Sequence, residues 1–187
     1  MARTRQLEMR FRTWGGARPG AGRKPKGPRA LVSHLARPRF ASRFPVHVTI
    51  RMNQEVWSLR SRRSFTALTR AFFAGANRFG FRLVHYSVQG NHIHLLAEAA
   101  GKESLSRGMQ GLNIRIARAL NRVMLRAGRV LHDHYHARIL RTPSEVARVR
   151  HYLLRNANHH YGLRASDPYA SRRPLIAPHT FLLRRHC

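Results

Sequence analysis

Acidic residues are what this chain most lacks. Of its 187 residues only 7 are Asp or Glu against 36 Lys or Arg, which leaves a formal charge of +29 at neutral pH. Glu8, Glu55, Glu98, Glu103, Asp133, Glu145 and Asp167 are the full set. So few carboxylates argue against a two-metal nuclease caged by them and against hydrolysis by paired carboxylates. Cysteine is scarcer still: Cys187 stands alone at the end of the sequence, excluding an internal disulfide framework and any cysteine-built zinc cage. No apolar run reaches about 18 residues, and the first residues hold no apolar signal core, so neither a spanning helix nor a secretory signal is expected. A soluble, cytoplasmic protein fits these absences.

The surplus of cations calls for a polyanionic partner, and nucleic acid is the commonest one. A hydrophobic content of 43% with 9% aromatics also supplies one sizeable core, so the chain is expected to fold as one domain with length left for tails. Residues 1–44 read as a flexible basic arm, because "GGARPGAGRKPKGPRA" (15–30) has no apolar periodicity. Within it "GRKPKGPR" resembles an AT-hook, placing Arg23, Lys24 and Lys26 against a minor groove or, more generally, against phosphates. Residues 164–187 hold three prolines and five arginines without periodicity, and are expected to form a basic tail packed loosely or not at all.

Between these flanks, residues 45–163 alternate strand and helix patterns. "VHVTIRM" puts Val46, Val48, Ile50 and Met52 on one face and His47, Thr49 and Arg51 on the other, as a half-buried strand does. Phe65, Leu68, Phe72 and Phe79 follow at helical spacing, with Gly80 as the stop. Residues 81–88 and 92–98 read as a hairpin about Gln89-Gly90-Asn91, where Gly and Asn suit a turn with positive φ. A second helix carries Met109, Leu112, Ile116, Leu120 and Val123 and ends by Gly128; "HYHARIL" (134–140) is the next strand. A third helix begins after Pro143 with Val146, Val149 and Leu153 in one stripe, and Gly162 would end it. The order predicts an α+β protein with a ferredoxin-like, split βαβ antiparallel sheet and an added C-terminal helix. Helices would cover one face of the sheet and leave the other for a ligand.

Chemistry concentrates in two places. In "GNHIHLL" (90–96) His92 and His94 share one face of a strand, as does Glu98. They either chelate a divalent cation or line the wet face of the sheet. In "HYLLRN" (151–156) Tyr152 and Asn156 lie four apart on one side of the third helix. Tyr152 is either an aromatic at the helix edge or a nucleophile. Its free pKa near ~10 makes it a poor one unaided, but a polarised phosphate and nearby cations lower the barrier. Attack on a phosphodiester would leave a phosphotyrosine and a free 3′-hydroxyl, conserving the ester energy that rejoining requires. A second metal site at His132, His134 and His136 in "LHDHYHARIL" is disfavoured, since no cysteine or finger-type spacing accompanies them. Arg138, Arg141, Arg148 and Arg155 are better read as phosphate contacts.

Taken together, "GNHIHLL", "YHARIL" and "HYLLRN" resemble, in order and spacing, the single-tyrosine HUH transposases, in particular the REP-associated tyrosine branch. The likeness covers roughly residues 44–162. It implies a metal-dependent endonuclease and strand-transferase acting on single-stranded or hairpin-forming DNA, as a monomer or homodimer. It also implies Mg²⁺ or Mn²⁺ at His92, His94 and Asn156, and Tyr152 as the nucleophile of a 5′-phosphotyrosine intermediate. Two strings depart from the family's pattern: Gly90 stands where Pro is frequent before Asn-His, and Ala157 where Pro is frequent after the helix Asn. A binding protein that uses a ferredoxin-like sheet without catalysis is the competing expectation, although the aromatic RNP strand signature of RNA-recognition modules is missing.

Overall fold

The computed structural model describes residues 37–161 and 167–184, with side chains at 37–156 and 167–184. The AT-hook-like stretch with Arg23, Lys24 and Lys26, and the helix stop at Gly162, lie outside the described residues. Nine elements follow in order: β1 Val46–Arg51, α1 Arg62–Gly75, β2 Asn77–Arg78, β3 Phe81–Val88, β4 His92–Ala99, α2 Lys102–Val123, β5 His136–Ile139, α3 Pro143–Tyr161 and α4 Phe181–Arg184. The strands form one five-stranded antiparallel sheet in the order β2-β3-β4-β1-β5. Apart from the short β2, this is the split βαβ arrangement expected, with β4 and β1 at the centre.

Strand alternation decides the two faces. Val46, Val48, Ile50, Ile93, Leu95 and Ala97 meet Leu68, Phe72, Met109, Leu112 and Ile116 of α1 and α2 in the main core. Each large side chain fully buried there is worth roughly 1.5–3 kcal/mol. Gly108 lets α2 lie against β3, since a Cβ there would stand 2.3 Å from Phe81 Cβ and Cγ.

The opposite face is not open, as expected, but partly roofed by α3. Val84 and Leu96 of the sheet pack there with Leu140, Val146, Val149 and Leu153, closed by Leu183 of α4. A bulge between Leu83 and His85 makes this possible. It sets Val84 and His85 together against Leu96, turning one extra side chain toward α3.

A capping box starts α3 firmly. The Thr142 hydroxyl accepts from the Glu145 amide (3.2 Å), the Glu145 carboxylate accepts from the Thr142 amide (3.2 Å), and Pro143 follows the cap. The Arg141 amide (2.7 Å) and Arg138 guanidinium (2.9 Å) also donate to Glu145. These hydrogen bonds hold its carboxyl below the usual carboxylate range.

Several boundaries differ from the sequence reading. Helix α1 stops at Gly75, so Phe79 is not on it. That residue lies in a left-handed turn with Gly80 (φ 56° and 72°) that returns the chain into β3. The 89–91 turn needs no positive φ. It is held from outside, the carbonyls of Gly90 and Asn91 accepting from the amides of Leu59 and Met52.

Residues 167–184 correct the expectation of a loose tail. Asp167, 1% exposed, takes a bidentate pair from Arg60 at 2.8 Å. The Ser171 amide donates to the Tyr86 carbonyl (3.0 Å), and buried Glu98 accepts from the amides of His179 and Thr180. Nothing in the segment has helical or strand periodicity, so only tertiary partners reveal that it docks. Likewise the end of the expected arm is anchored: Arg37 donates to the Tyr135 carbonyl at 2.9 Å and Phe40 packs against the main core.

Candidate functional site

β4 carries His92 and His94 on the face that α3 partly covers, their ring centroids 4.8 Å apart and the planes nearly perpendicular. Beside them on β1, in register, stand Thr49 opposite His94 and Arg51 opposite His92. The Nδ1 of His94 is 3.1 Å from Thr49 Oγ1 and 3.2 Å from His47 Nε2. Burial first, then the charges of His136 and Arg138, lower the His47 pKa to about 4. A neutral His47 can accept from His94 Nδ1–H. That tautomer leaves the lone pair of His94 Nε2 pointing toward α3.

What Nε2 faces is Tyr152. Its hydroxyl is 3.4 Å away, the two rings are edge to face at 5.2 Å, and the tyrosine is 38% exposed. Exposure matters because a nucleophile must be reached by a substrate. Tyr152 also sits 6.3 Å from the His47 ring. Thus three histidines from β1 and β4 and one tyrosine from α3 form a single cluster, although 58 residues separate Tyr152 from His94.

Asn156, one turn further along α3, is only 1% exposed, and neither Oδ1 nor Nδ2 has a hydrogen-bond partner among the described residues. An unsatisfied buried amide costs about 1–3 kcal/mol per group, so its presence needs a reason. Two imidazole nitrogens and an amide oxygen are donors that suit a borderline or hard divalent cation such as Mn²⁺ or Mg²⁺. The side chains present are therefore compatible with such an ion at His92, His94 and Asn156. No group of three or more His, Cys, Asp or Glu arranged to hold a metal occurs among the described residues, so an ion here would depend on the amide.

The remaining candidates scatter. Glu98 shares the histidine face but is committed to the His179 and Thr180 amides just before α4 and to Arg82 (3.4 Å). Arg138 pairs with Glu145 at 2.9 Å, and Arg148 Nε donates to the Ser144 carbonyl; Arg141, Arg148 and Arg155 are exposed along α3 and its approach. His47 and Thr49 went unnoticed as site residues in the sequence. The alternation of "VHVTIRM" put them on the polar face, but nothing local said that this face would pair with His94.

The cluster thus sets a tyrosine over a histidine pair on a ferredoxin-like sheet. The model of the IS200-like transposases matches residues 41–156, from before β1 to Asn156, and the chain belongs to that family. Among solved structures it is similar to a REP-associated tyrosine transposase bound to a REP hairpin. Identity there is 12% over 75% of this chain and 83% of that one, with a TM-score of 0.62. A putative transposase from Deinococcus radiodurans aligns at 15% identity over 66% of this chain and 95% of its own, TM-score 0.45. No curated protein sequence matches.

Proposed function

We propose that the chain is a metal-dependent endonuclease and strand-transferase acting on single-stranded or hairpin-forming DNA, with Tyr152 as nucleophile. The phenolic oxygen attacks the scissile phosphorus, a P–O(Tyr) bond forms, and the P–O3′ bond breaks. The phenol loses its proton and the departing 3′-oxygen takes one up. A 5′-phosphotyrosine and a free 3′-hydroxyl result, and a second 3′-hydroxyl can reverse the step.

The observation that carries this reading is the approach of Tyr152 Oη to His94 Nε2 at 3.4 Å in a cluster an exposed substrate can reach. His92, His94 and Asn156 would hold Mg²⁺ or Mn²⁺, which when bound polarises the phosphate and offsets its charge. Thr49 and His47 would fix the ring of His94, as partners of ligand imidazoles do. Arg141, Arg148 and Arg155, with Arg23, Lys24 and Lys26 of the arm and Arg138, would meet phosphates.

The test is a covalent adduct between the protein and labelled oligonucleotides from its flanking DNA, with Mn²⁺ and then with EDTA. Wild type should form the adduct only with metal, and Tyr152→Phe should form none. His92→Ala and His94→Ala should lose nicking while keeping most of their salt-sensitive binding. A wild type as inert as Tyr152→Phe on every flanking hairpin would leave a binding protein without catalysis.

A further inference from the structure

Trp57, in the loop between β1 and α1, leaves 60% of its surface in solvent. One exposed ring is ordinary on a protein surface. Three features set this one apart: where its loop runs, how firmly the loop is held, and which charges flank it.

The loop crosses the end of the sheet at which β4 begins. Arg51, the last residue of β1, stands opposite His92. The Met52 amide donates to the Asn91 carbonyl and the Leu59 amide to the Gly90 carbonyl, both at 2.9 Å. Residues 52 and 59 therefore grip the two residues that precede His92, and Trp57 lies on the span between the grips. Phe79 is exposed as well, but it belongs to the turn at the other end of β4, roughly 20 Å from His92 at about 3.3 Å per strand residue. The Arg107 guanidinium already lies over that ring, 5.1 Å from its centre.

Both flanks of Trp57 are tied down. Val56 and Leu59 are buried in the main core. Arg60 is fixed by its two 2.8 Å hydrogen bonds to Asp167 and by one of 2.9 Å to the Val88 carbonyl. An aromatic face offered on a backbone ordered in advance loses little entropy when a flat partner stacks on it.

Cations bracket the ring along the chain. Arg51 before it and Arg62 and Arg63 after it are exposed, and none of the three joins a salt bridge among the described residues. The loop's one carboxylate, Glu55, is paired with Arg126 at 3.2 Å. Cations on both sides of an indole match a sugar-phosphate backbone whose unpaired base lies on the ring. Bases inside a duplex already stack on their neighbours, so the partner is single-stranded.

We infer that Trp57 stacks on one unpaired base of the DNA strand that passes His92. The inference rests on the DNA-processing reading above but not on its chemistry. It is therefore tested by binding alone, in full-length Tyr152→Phe protein with EDTA. A missing adduct in wild type would sink the chemistry and leave this test intact.

The sequence holds two tryptophans, Trp14 and Trp57, so adding Trp14→Phe makes Trp57 the sole indole emitter. The probes are single-stranded thymidylate and deoxyadenylate oligomers and an abasic sugar-phosphate oligomer of equal length. Base-bearing oligomers should quench Trp57, and the abasic one should not. Trp57→Ala should weaken binding of the base-bearing oligomers by about fivefold or more, with abasic affinity and melting temperature unchanged. Trp57→Phe keeps an aromatic face and should retain most of the affinity. No quenching, or the same effect of Trp57→Ala on both kinds of oligomer, would overturn the inference. So would emission that shifts with protein concentration before any DNA is added, since that assigns the ring to a second copy of the chain.

Discussion

Two buried side chains show how far one residue reaches. Asn156 sits unpaired at 1% exposure next to a tyrosine that touches His94, a cost that folding alone does not repay. His85, also 1% exposed, is a structural counterpart. Its Nδ1 lies 3.1 Å from Ser171 Oγ and 3.3 Å from the Ser171 carbonyl, joining the bulge to the C-terminal segment. Burial, opposed by the Ser171 hydrogen bond and helped by the charge of Arg150, lowers its pKa to about 4. The folded protein therefore keeps His85 neutral while the unfolded chain takes up a proton below about 6.5. Its stabilising contribution is complete above that pH and is lost as pH falls toward about 4. Between pH 7 and pH 5 the loss amounts to about 2 kcal/mol. Thermal melts of wild type should fall over that interval, and His85→Gln should flatten the profile. The profile will not become level, because His47 has the same sign. An unchanged profile in His85→Gln would remove His85 from the account.

At the scale of elements, close approach matters more than propensity. Glycine weakens a helix by about 1 kcal/mol relative to alanine, yet Gly108 stands in the middle of α2. The reason is Phe81 of β3, within 2.3 Å of where a Cβ would be. Gly108→Ala should gain the propensity term and lose more to overpacking, for a net destabilisation of about 1–3 kcal/mol. Urea denaturation would show a lower midpoint, and a higher one would mean that α2 shifts freely on β3. The tyrosine helix is fixed differently. Its start was legible, since Thr142-Pro143-x-Glu145 is a capping signature, and its apolar stripe Val146, Val149, Leu153 was read correctly. Its partner was not legible. A stripe specifies that a helix packs, not on which face of a sheet, and the bulge at Val84 and His85 that receives it leaves no mark in the pattern of apolar residues.

For the whole molecule, charge is the dominant property. Four salt bridges join side chains among the described residues, so most of the 36 cations have no carboxylate to meet and are available to a polyanion. Binding to single-stranded DNA should weaken steeply with salt, each neutralised phosphate adding about 0.7 to the slope of log K against log salt. Replacing both Arg148 and Arg155 by Gln should reduce that slope by about 1.4 if each meets a phosphate. Filter binding over a salt series measures this, and an unchanged slope would take α3 out of the DNA path. The described helices include none long and apolar enough to cross a membrane.

By itself the sequence determined what local physics controls. The strands and helices, the faces on which His92, His94, Tyr152 and Asn156 lie, and the charge that selects a polyanion follow from periods of two and 3.6 and from composition. Tertiary structure alone decided which of those faces meet. Thr49 and His47 reach His94 through the register of β1 on β4, and Tyr152 reaches it because a bulge and a C-terminal segment seat α3 on that side. Strand register and helix docking are set by contacts between residues far apart in the chain. No periodicity within one segment records them, and the segment at 167–184 docked without any local pattern at all.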